Sequence, residues 1–161
     1  MKKFLYVLVF LCGSAYAQSE VTTFILVRHA EKETAAAGDK DPMLSKEGQD
    51  RAQQLLQKLE KQKIDAVYST NYNRTKNTVK PVAEAKNVTI QTYESLKFDE
   101  LVAKYKGGTV LICGHSNTIP GFANSLLGNK QFANYDDSDY GNLLIVTVTA
   151  VGKGNVTHLR Y

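Results

Sequence analysis

Short apolar runs alternate with segments of helical periodicity along this 161-residue chain, and this alternation constrains its fold more than any other feature. Apolar runs predict strands at residues 23–27, 65–69, 88–93, 109–114, 143–150 and 155–161. Helical patterns occupy residues 46–62, 70–86, 96–105 and 116–128, with Pro81 expected to bend or interrupt the second helix. We therefore expect an α/β fold, a three-layer α/β/α sandwich with a mostly parallel central sheet and a C-terminal antiparallel hairpin.

The first seventeen residues have the organisation of a secretory signal peptide. Two lysines precede an apolar run over residues 4–11, and a small-x-small pattern ends the segment at Ala17. The apolar run is too short to span a bilayer, which takes about 20 helical residues. Lipid attachment at Cys12 is disfavoured because bulky Leu11 precedes it. We predict cleavage after Ala17, a single domain over 18–161, and a periplasmic or secreted bacterial protein without stable membrane insertion. An uncleaved N-terminal anchor is the remaining alternative.

The predicted mature chain has little net charge and one cysteine. Without the two signal lysines, 18 of the 20 basic residues remain against 16 acidic ones. This excess is too small to indicate a nucleic-acid or membrane-surface partner. Cys113 is the cysteine that remains, so no intramolecular disulfide is available and the fold depends on its core. Because Cys113 lies in an apolar run, we predict a buried hydrophobic residue rather than a nucleophile.

Two of the most apolar predicted strands end in a histidine. Arg28 and His29 follow the first strand, and His115 follows the strand at 109–114. Arg74 begins the helix after the second strand, so all four residues are expected beyond the carboxyl ends of strands, where open α/β sheets bind ligands. Arginines suit the oxygens of a phosphoryl group, and a partly neutral histidine suits attack on phosphorus. The residues therefore predict a phosphate site.

Four segments resemble motifs of the histidine phosphatase superfamily, also called the phosphoglycerate mutase-like family. "LVRHAEK" is similar to its Arg-His motif and "MLSKEGQDRA" to its Leu-Ser/Thr-x-x-Gly-x-x-Gln/Arg-Ala helix start. "YSTNYNRTKNT" is similar to its Ser-x-x-x-Arg-Thr-x-x-Thr segment and "ICGHSNTI" to its Gly-His-Ser motif. The segments occur in the family's order, and the short chain looks most like the compact SixA-type branch. The resemblance implies a phosphoglycerate mutase-like fold.

The resemblance also implies a role for each of the four residues. His29 would attack phosphorus and form a phosphohistidine that water then hydrolyses, while Arg28 and Arg74 would bind the phosphate. His115 would donate a hydrogen bond to the transferring group. The family's proton donor has no clear match, because the position that holds an aspartate in acid phosphatases is Ser116 here. Mutase-like members use a glutamate after the Arg-Thr helix, where the candidates are Glu94, Asp99 and Glu100.

The expected activity is hydrolysis of small phosphorylated substrates without a metal or other cofactor. A metal held by His29 and His115 would be repelled by Arg28 and Arg74. An exported enzyme would meet small phosphorylated metabolites or envelope-associated phosphates, rather than phosphorylated cytoplasmic signalling proteins. The alternative is a non-catalytic phosphate-binding or scaffold domain that retains the basic pocket, an interpretation motivated by Ser116.

Other polar residues near these motifs are expected to have structural roles. We predict that Glu31 and Lys32 form a solvated pair in the loop after the first strand and that His158 is a surface residue. The acidic segment that contains Asp136, Asp137 and Asp139 is expected to be an ordinary turn, rather than a guard of the pocket or a cation site.

Overall fold

The computed structural model describes residues 21–161, so the predicted signal peptide, its cleavage site and Cys12 lie outside the described residues. The elements, in chain order, are β1 (Thr22–Arg28), α1 (Lys46–Lys58), β2 (Ala66–Thr70), α2 (Asn73–Ala85), β3 (Ile90–Tyr93), α3 (Phe98–Lys104), β4 (Thr109–Gly114), α4 (Thr118–Leu127), β5 (Asn142–Ala150) and β6 (Lys153–Arg160). Every predicted strand and helix is present, with ends that differ by a few residues. None of the helices in this part of the chain is long and apolar enough to cross a membrane.

All six strands form one sheet in the order β3-β2-β4-β1-β5-β6. Strands β3, β2, β4 and β1 are parallel neighbours, whereas β5 pairs antiparallel with β1 and β6 pairs antiparallel with β5. This arrangement confirms the mostly parallel sheet with a C-terminal hairpin. The hairpin turns at Val151 and Gly152, where Gly152 has a φ of 81° that a residue with a side chain rarely adopts. The carboxyl ends of β1 and β4 are therefore adjacent at the middle of the sheet.

Alternate residues of β1 enter two separate cores, one on each face of the sheet. Phe24 and Leu26 pack in the core covered by α3 and α4, and Ile25 and Val27 pack in the core covered by α1 and α2. All four side chains are at most 1% exposed. A strand buried on both faces is a continuous apolar run, which explains why β1 has no polar alternation. The two cores establish the predicted three-layer α/β/α architecture.

One prediction for the layer formed by α1 and α2 is wrong, and one for the core beneath it is confirmed. Helix α2 continues through Pro81, so the predicted possibility of an interruption is wrong. Val79 and Val82, on either side of Pro81, are completely buried in one core with Leu55 of α1, and this packing outweighs the main-chain hydrogen bond that proline cannot make. Cys113 is completely buried in the core beneath the same two helices, as predicted.

Candidate active site

The two histidines meet because the strands that precede them are parallel neighbours. Arg28 pairs in register with Gly114, and the main-chain N–H of His29 donates to the carbonyl oxygen of Gly114 at 2.9 Å. Strands β1 and β4 thus end side by side, and the ring centroids of the histidines that follow them, His29 and His115, lie 5.5 Å apart. The structure brings together the two histidines that the sequence placed at strand ends.

His29 is held in one orientation, and one of its ring nitrogens has no hydrogen-bond partner within residues 21–161. Its Nδ1 lies 2.8 Å from the carbonyl oxygen of Ala30, which only accepts hydrogen bonds, so Nδ1 carries the proton and Nε2 carries the lone pair. The N–H of Ala30 in turn donates to Thr78 Oγ1 at 2.8 Å, which anchors this turn to α2. The His29 residue is only 5% exposed. Its free Nε2 has the electronic form that a nucleophile requires.

Burial holds His29 in its neutral form. Desolvation is the largest cause and, together with the charge of Arg28 and smaller effects of His115 and Arg74, it lowers the pKa of His29 to about 4 from its ordinary value of 6.5. The hydrogen bond to Ala30 acts in the opposite direction but is outweighed. At neutral pH, the imidazole is therefore uncharged and its Nε2 lone pair is available without removal of a proton.

His115 is positioned by threonine side chains from two elements. Its main-chain N–H donates to Thr118 Oγ1 at 2.8 Å, and its ring Nε2 lies 3.0 Å from Thr70 Oγ1. Thr75 already donates its hydroxyl proton to a carbonyl oxygen, so Thr70 donates to Thr75 and accepts from Nε2–H of His115. Burial, followed by the charges of Arg74 and Arg28, lowers the pKa of His115. In the neutral ring Nδ1 is an acceptor, and it becomes a donor when the ring takes up a second proton.

Arg28 is buried and holds the loop between α4 and β5. Its Nη1 donates to the carbonyl oxygens of Asp136 and Asp139 at 2.7 and 2.9 Å, and its Nη2 donates to that of Asp137 at 3.1 Å. Three of the five guanidinium N–H groups are thereby used. Its Nε is buried and has no hydrogen-bond partner within residues 21–161. An unpartnered buried donor costs about 1–3 kcal/mol, which a bound anion would offset.

The acidic loop therefore contributes to the site through its main chain rather than through its carboxylates. The Asp137 side chain is fully exposed, and its Oδ1 lies 3.9 Å from Arg28 Nη2, which is beyond hydrogen-bond distance. The Asp139 carboxylate binds Arg160 at 3.0 Å instead. The prediction of an ordinary acidic turn missed the three carbonyl oxygens that fix Arg28. His158, in contrast, is exposed on β6 as predicted and contacts the Asn142 side chain at 2.8 Å.

Arg74 begins α2 beside an acidic residue that the sequence analysis missed. Asp41 accepts from the N–H of Asn73 with both carboxylate oxygens, at 2.8 and 3.0 Å, and its Oδ1 lies 3.5 Å from Arg74 Nη1. A carboxylate at a helix N-terminus is stabilised by the unpaired N–H groups there. Asp41 thereby fixes the first turn of α2 and the guanidinium of Arg74, whose charge lowers the pKa of both histidines.

The "MLSKEGQDRA" segment supports the loop that follows His29. Ser45 caps α1 by accepting from the N–H of Gly48, and Gly48 lies so close to Glu31 that a Cβ there would overlap the Glu31 carbonyl oxygen. Arg51 binds the Glu31 carboxylate through Nε at 2.8 Å and Nη2 at 2.5 Å. The predicted solvated pair is thus wrong for Glu31, whose side chain is 12% exposed, whereas Lys32 is exposed. The hydrogen bonds from the Arg51 guanidinium offset the desolvation cost of burying the Glu31 carboxylate.

A tyrosine flanks each histidine, and the sequence analysis identified neither of them. The Tyr140 ring lies 6.1 Å from His29, and the Tyr72 ring lies 5.3 Å from His115. Each tyrosine also stacks on an arginine, with Arg28 Cζ 4.3 Å from the Tyr140 ring and Arg74 Cζ 4.3 Å from the Tyr72 ring. Cation–π contacts of this kind hold the guanidinium groups as well as the rings. The signal in the sequence was the position of Tyr72, two residues before Arg74.

The three proton-donor candidates occupy different places. Glu94 follows the last residue of β3, Tyr93, which pairs in register with Thr70, so Glu94 lies at the sheet edge that carries His115. Asp99 and Glu100 are exposed in the first turn of α3, where Glu100 pairs with Lys97 at 3.0 Å. The neighbouring Phe98 packs on Phe24, which lies four residues before Arg28. The start of α3 is therefore about 13 Å along the strand from the end of β1. This placement favours Glu94 over the two residues of α3.

A comparison with protein-family models identifies the family to which this arrangement of residues belongs. The model of the histidine phosphatase superfamily (branch 1) matches residues 24–98, which include Arg28, His29 and Arg74. This part of the chain belongs to a histidine phosphatase superfamily domain. Within residues 21–161 of this histidine phosphatase domain, no group of three His, Cys, Asp or Glu residues is arranged to hold a metal ion.

Three similar proteins are phosphatases by name. Phosphoserine phosphatase 1 of Hydrogenobacter thermophilus is 41% identical over 82 residues, which cover 48% of this chain and 36% of that relative. The structure of the protein histidine phosphatase SixA complexed with tungstate matches with a TM-score of 0.71 at 17% identity, covering 86% of this chain and 96% of that one. A phosphoserine phosphatase mutant from Entamoeba histolytica in complex with phosphoserine matches with a TM-score of 0.63 at 17% identity, covering 84% and 95%. These structures establish the shared phosphoglycerate mutase-like fold.

Proposed function

We propose that this histidine phosphatase domain hydrolyses phosphomonoesters through a covalent phosphohistidine on His29. The observation that carries the proposal is the fixed, neutral imidazole of His29, with Nδ1 bound to Ala30 and Nε2 free. Two arginines adjoin it, and a second histidine lies 5.5 Å away. A phosphate group placed among them would have its charge balanced by Arg28 and Arg74 while Nε2 faces phosphorus.

In the proposed reaction, each of these residues has a role in two steps. In the first, Nε2 of His29 bonds to phosphorus as the bond from phosphorus to the leaving oxygen breaks, and that oxygen departs with the electron pair. In the second, water attacks the phosphohistidine and releases inorganic phosphate and His29. The Arg28 Nε–H and the Arg74 guanidinium bind phosphate oxygens throughout. His115 takes up a proton beside the bound dianion and then donates from Nδ1.

The comparisons support this activity at the level of the family. The relative with 41% identity is named a phosphoserine phosphatase, but the chain spans about a third of its length. The proposed substrates are therefore small phosphorylated molecules in general. If the N-terminal segment directs export, as its sequence predicts, these are phosphorylated metabolites or envelope-associated phosphates outside the cytoplasm. N-terminal sequencing of the protein recovered from the periplasm and the medium tests this location, and an uncleaved N-terminus in the cytoplasm contradicts it.

The protonation of His29 argues against the alternative of a phosphate-binding domain without catalysis. A binding site for a dianion is strengthened by a cationic histidine, yet burial lowers the pKa of His29 to about 4 and keeps it neutral. A neutral imidazole contributes little to phosphate affinity but is the reactive form of a nucleophile. The cost of burying this group is thus explained by attack on phosphorus, not by binding alone.

The decisive experiment compares wild type with His29→Ala. We expect wild type to turn over 4-nitrophenyl phosphate and acetyl phosphate, and an alkaline denaturing quench to preserve a phosphoprotein. The His29→Ala variant is expected to lose turnover by roughly 10⁴-fold or more and to form no phosphoprotein. His158→Ala is the matched control, because this histidine is exposed on β6 outside the site. Equal turnover by the wild type and His29→Ala, or phosphate binding without turnover in wild type, would contradict the proposal.

A further inference from the structure

The ring of Tyr72 offers an aromatic surface at the entrance to the candidate site. Arg74 stacks on the ring, and His115 lies 5.3 Å from it, but the residue is still 39% exposed. A large ring beside a half-buried histidine is normally covered by protein, since its burial contributes strongly to stability. Part of the Tyr72 ring is therefore available to a group that enters the site with the phosphate.

Tyr140 extends this aromatic surface along the histidine pair. Its half-buried ring lies 6.1 Å from His29, so the rings Tyr140, His29, His115 and Tyr72 form a row with neighbouring centroids 5.3 to 6.1 Å apart. These separations are within the range in which aromatic rings attract each other. A phosphorylated molecule bound through the two arginines would meet the Tyr72 and Tyr140 rings on which those arginines stack.

The carboxylates around the site give an independent indication about the leaving group. Glu31 is paired with Arg51, Asp41 accepts from the N–H of Asn73, and Glu94 is exposed at the sheet edge. An acid that protonates an alkoxide must be held protonated, usually by burial in an apolar pocket. Glu31 and Asp41 each pair with an arginine and Glu94 is exposed, so none of these three carboxylates lies in such a pocket. The site thus favours leaving groups that depart without a proton from the enzyme.

We propose that the site selects phosphate monoesters of phenols, with Tyr72 as a specificity-determining residue that packs on the aromatic ring of the substrate. This inference rests on the proposed phosphohistidine chemistry and adds the substrate class. The Nε2–P bond forms as the bond between phosphorus and the phenolic oxygen breaks, and a phenolate leaves with the electron pair. With a pKa of about 10, a phenol leaves as its anion far more readily than an aliphatic alcohol. The leaving phenolate takes its proton from water.

The test uses three substrates that separate ring binding from leaving-group chemistry. Phosphotyrosine has an aromatic ring and a phenolate leaving group, phosphoserine has neither, and acetyl phosphate has a good leaving group without a ring. We expect wild type to prefer phosphotyrosine to phosphoserine by about 100-fold or more in kcat/KM. Tyr72→Leu is expected to lower the kcat/KM ratio of phosphotyrosine to acetyl phosphate by about fivefold, mainly through KM, as loss of one ring contact predicts. Tyr72→Phe retains the ring and is expected to keep the ratio.

The outcomes distinguish this inference from the proposed function on which it rests. If acetyl phosphate labels His29 but phosphoserine and phosphotyrosine are turned over equally, the substrate class is refuted and the phosphohistidine mechanism stands. If Tyr72→Leu leaves the phosphotyrosine to acetyl phosphate ratio at the wild-type value, or Tyr72→Phe loses it equally, the role of the Tyr72 ring is refuted. If none of the three substrates labels His29, the proposed function itself fails.

Discussion

Acidification provides a quantitative test of the environment of His29. The folded protein holds the pKa of His29 at about 4, whereas the unfolded chain has the ordinary value of 6.5. Above pH 6.5 the residue is neutral in both states and does not affect the pH dependence of stability. As the pH falls from 6.5 towards 4, the unfolded state binds the proton first, so the free energy of unfolding decreases. Below about pH 4 both states are protonated and the loss levels off.

The size of this effect follows from the two pKa values. The interval between 6.5 and about 4 corresponds to a loss of about 3 kcal/mol in the free energy of unfolding. Other groups also titrate in this range, among them His115, whose pKa is lowered by burial. The contribution of His29 is therefore isolated as the difference between the wild type and His29→Gln, which cannot titrate. The stability advantage of wild type over the variant should be about 3 kcal/mol smaller at pH 4 than at pH 7.

Urea unfolding at half-unit intervals between pH 7 and pH 4 measures this difference. Long-range ¹H–¹⁵N NMR spectra report the same protonation directly, and we expect a neutral Nδ1–H tautomer of His29 down to about pH 5. Addition of inorganic phosphate should raise the pKa of His29, because a bound anion favours the charged imidazole. A His29 resonance that titrates near pH 6.5 without phosphate, together with a pH-independent stability difference, would refute this account of the site.

Two substitutions probe the supports of the site, and a labelling experiment probes the core. Gly48→Ala should lower the free energy of unfolding by about 2 kcal/mol, because its Cβ overlaps a backbone carbonyl, whereas Gly121→Ala, with open space at its Cβ, should not destabilise α4 in the same urea titration. Thr78→Val should cost about 1–3 kcal/mol and reduce turnover, since it leaves a buried N–H unpaired, and Thr78→Ser should recover both; normal turnover by the valine variant would contradict this. The fully buried Cys113 thiol should react with a disulfide reagent only on unfolding, so rapid native labelling would contradict its placement.

The fold and the proximity of Arg28, His29, Arg74 and His115 were predictable because their signals are local in the sequence. An apolar run buried on both faces identifies β1, and the position of Arg28 and His29 directly after it needs no knowledge of distant contacts. The meeting of His29 with His115 then follows from a general property of parallel sheets, since ligand sites form at the carboxyl ends of adjacent strands. Periodicity and one topological rule were sufficient for this part of the site.

The interactions that fix those residues could not be predicted, because they join distant parts of the chain. Glu31 was expected in solvent but pairs with Arg51, twenty residues away. Arg28 is held by carbonyl oxygens of residues 136, 137 and 139, and every residue type provides a carbonyl oxygen. Burial of Glu31 and the fixed position of Arg28 are therefore consequences of tertiary packing, which residue types along the sequence do not reveal.

The structure separates motif residues that act at the site from those that support it. Gly48 and Thr78 contact the main chain of residues 30 and 31 and so fix the turn after His29 without reaching the histidine rings. Tyr72 and Tyr140 have the opposite character, since they contact His29, His115 and the two arginines but are not specified by any of the four motifs. Residues of this second kind can differ between proteins that share the reaction. Under the proposed mechanism, we therefore expect the choice of leaving group to depend on Tyr72 and Tyr140, and the attack on phosphorus to depend on residues of the four motifs.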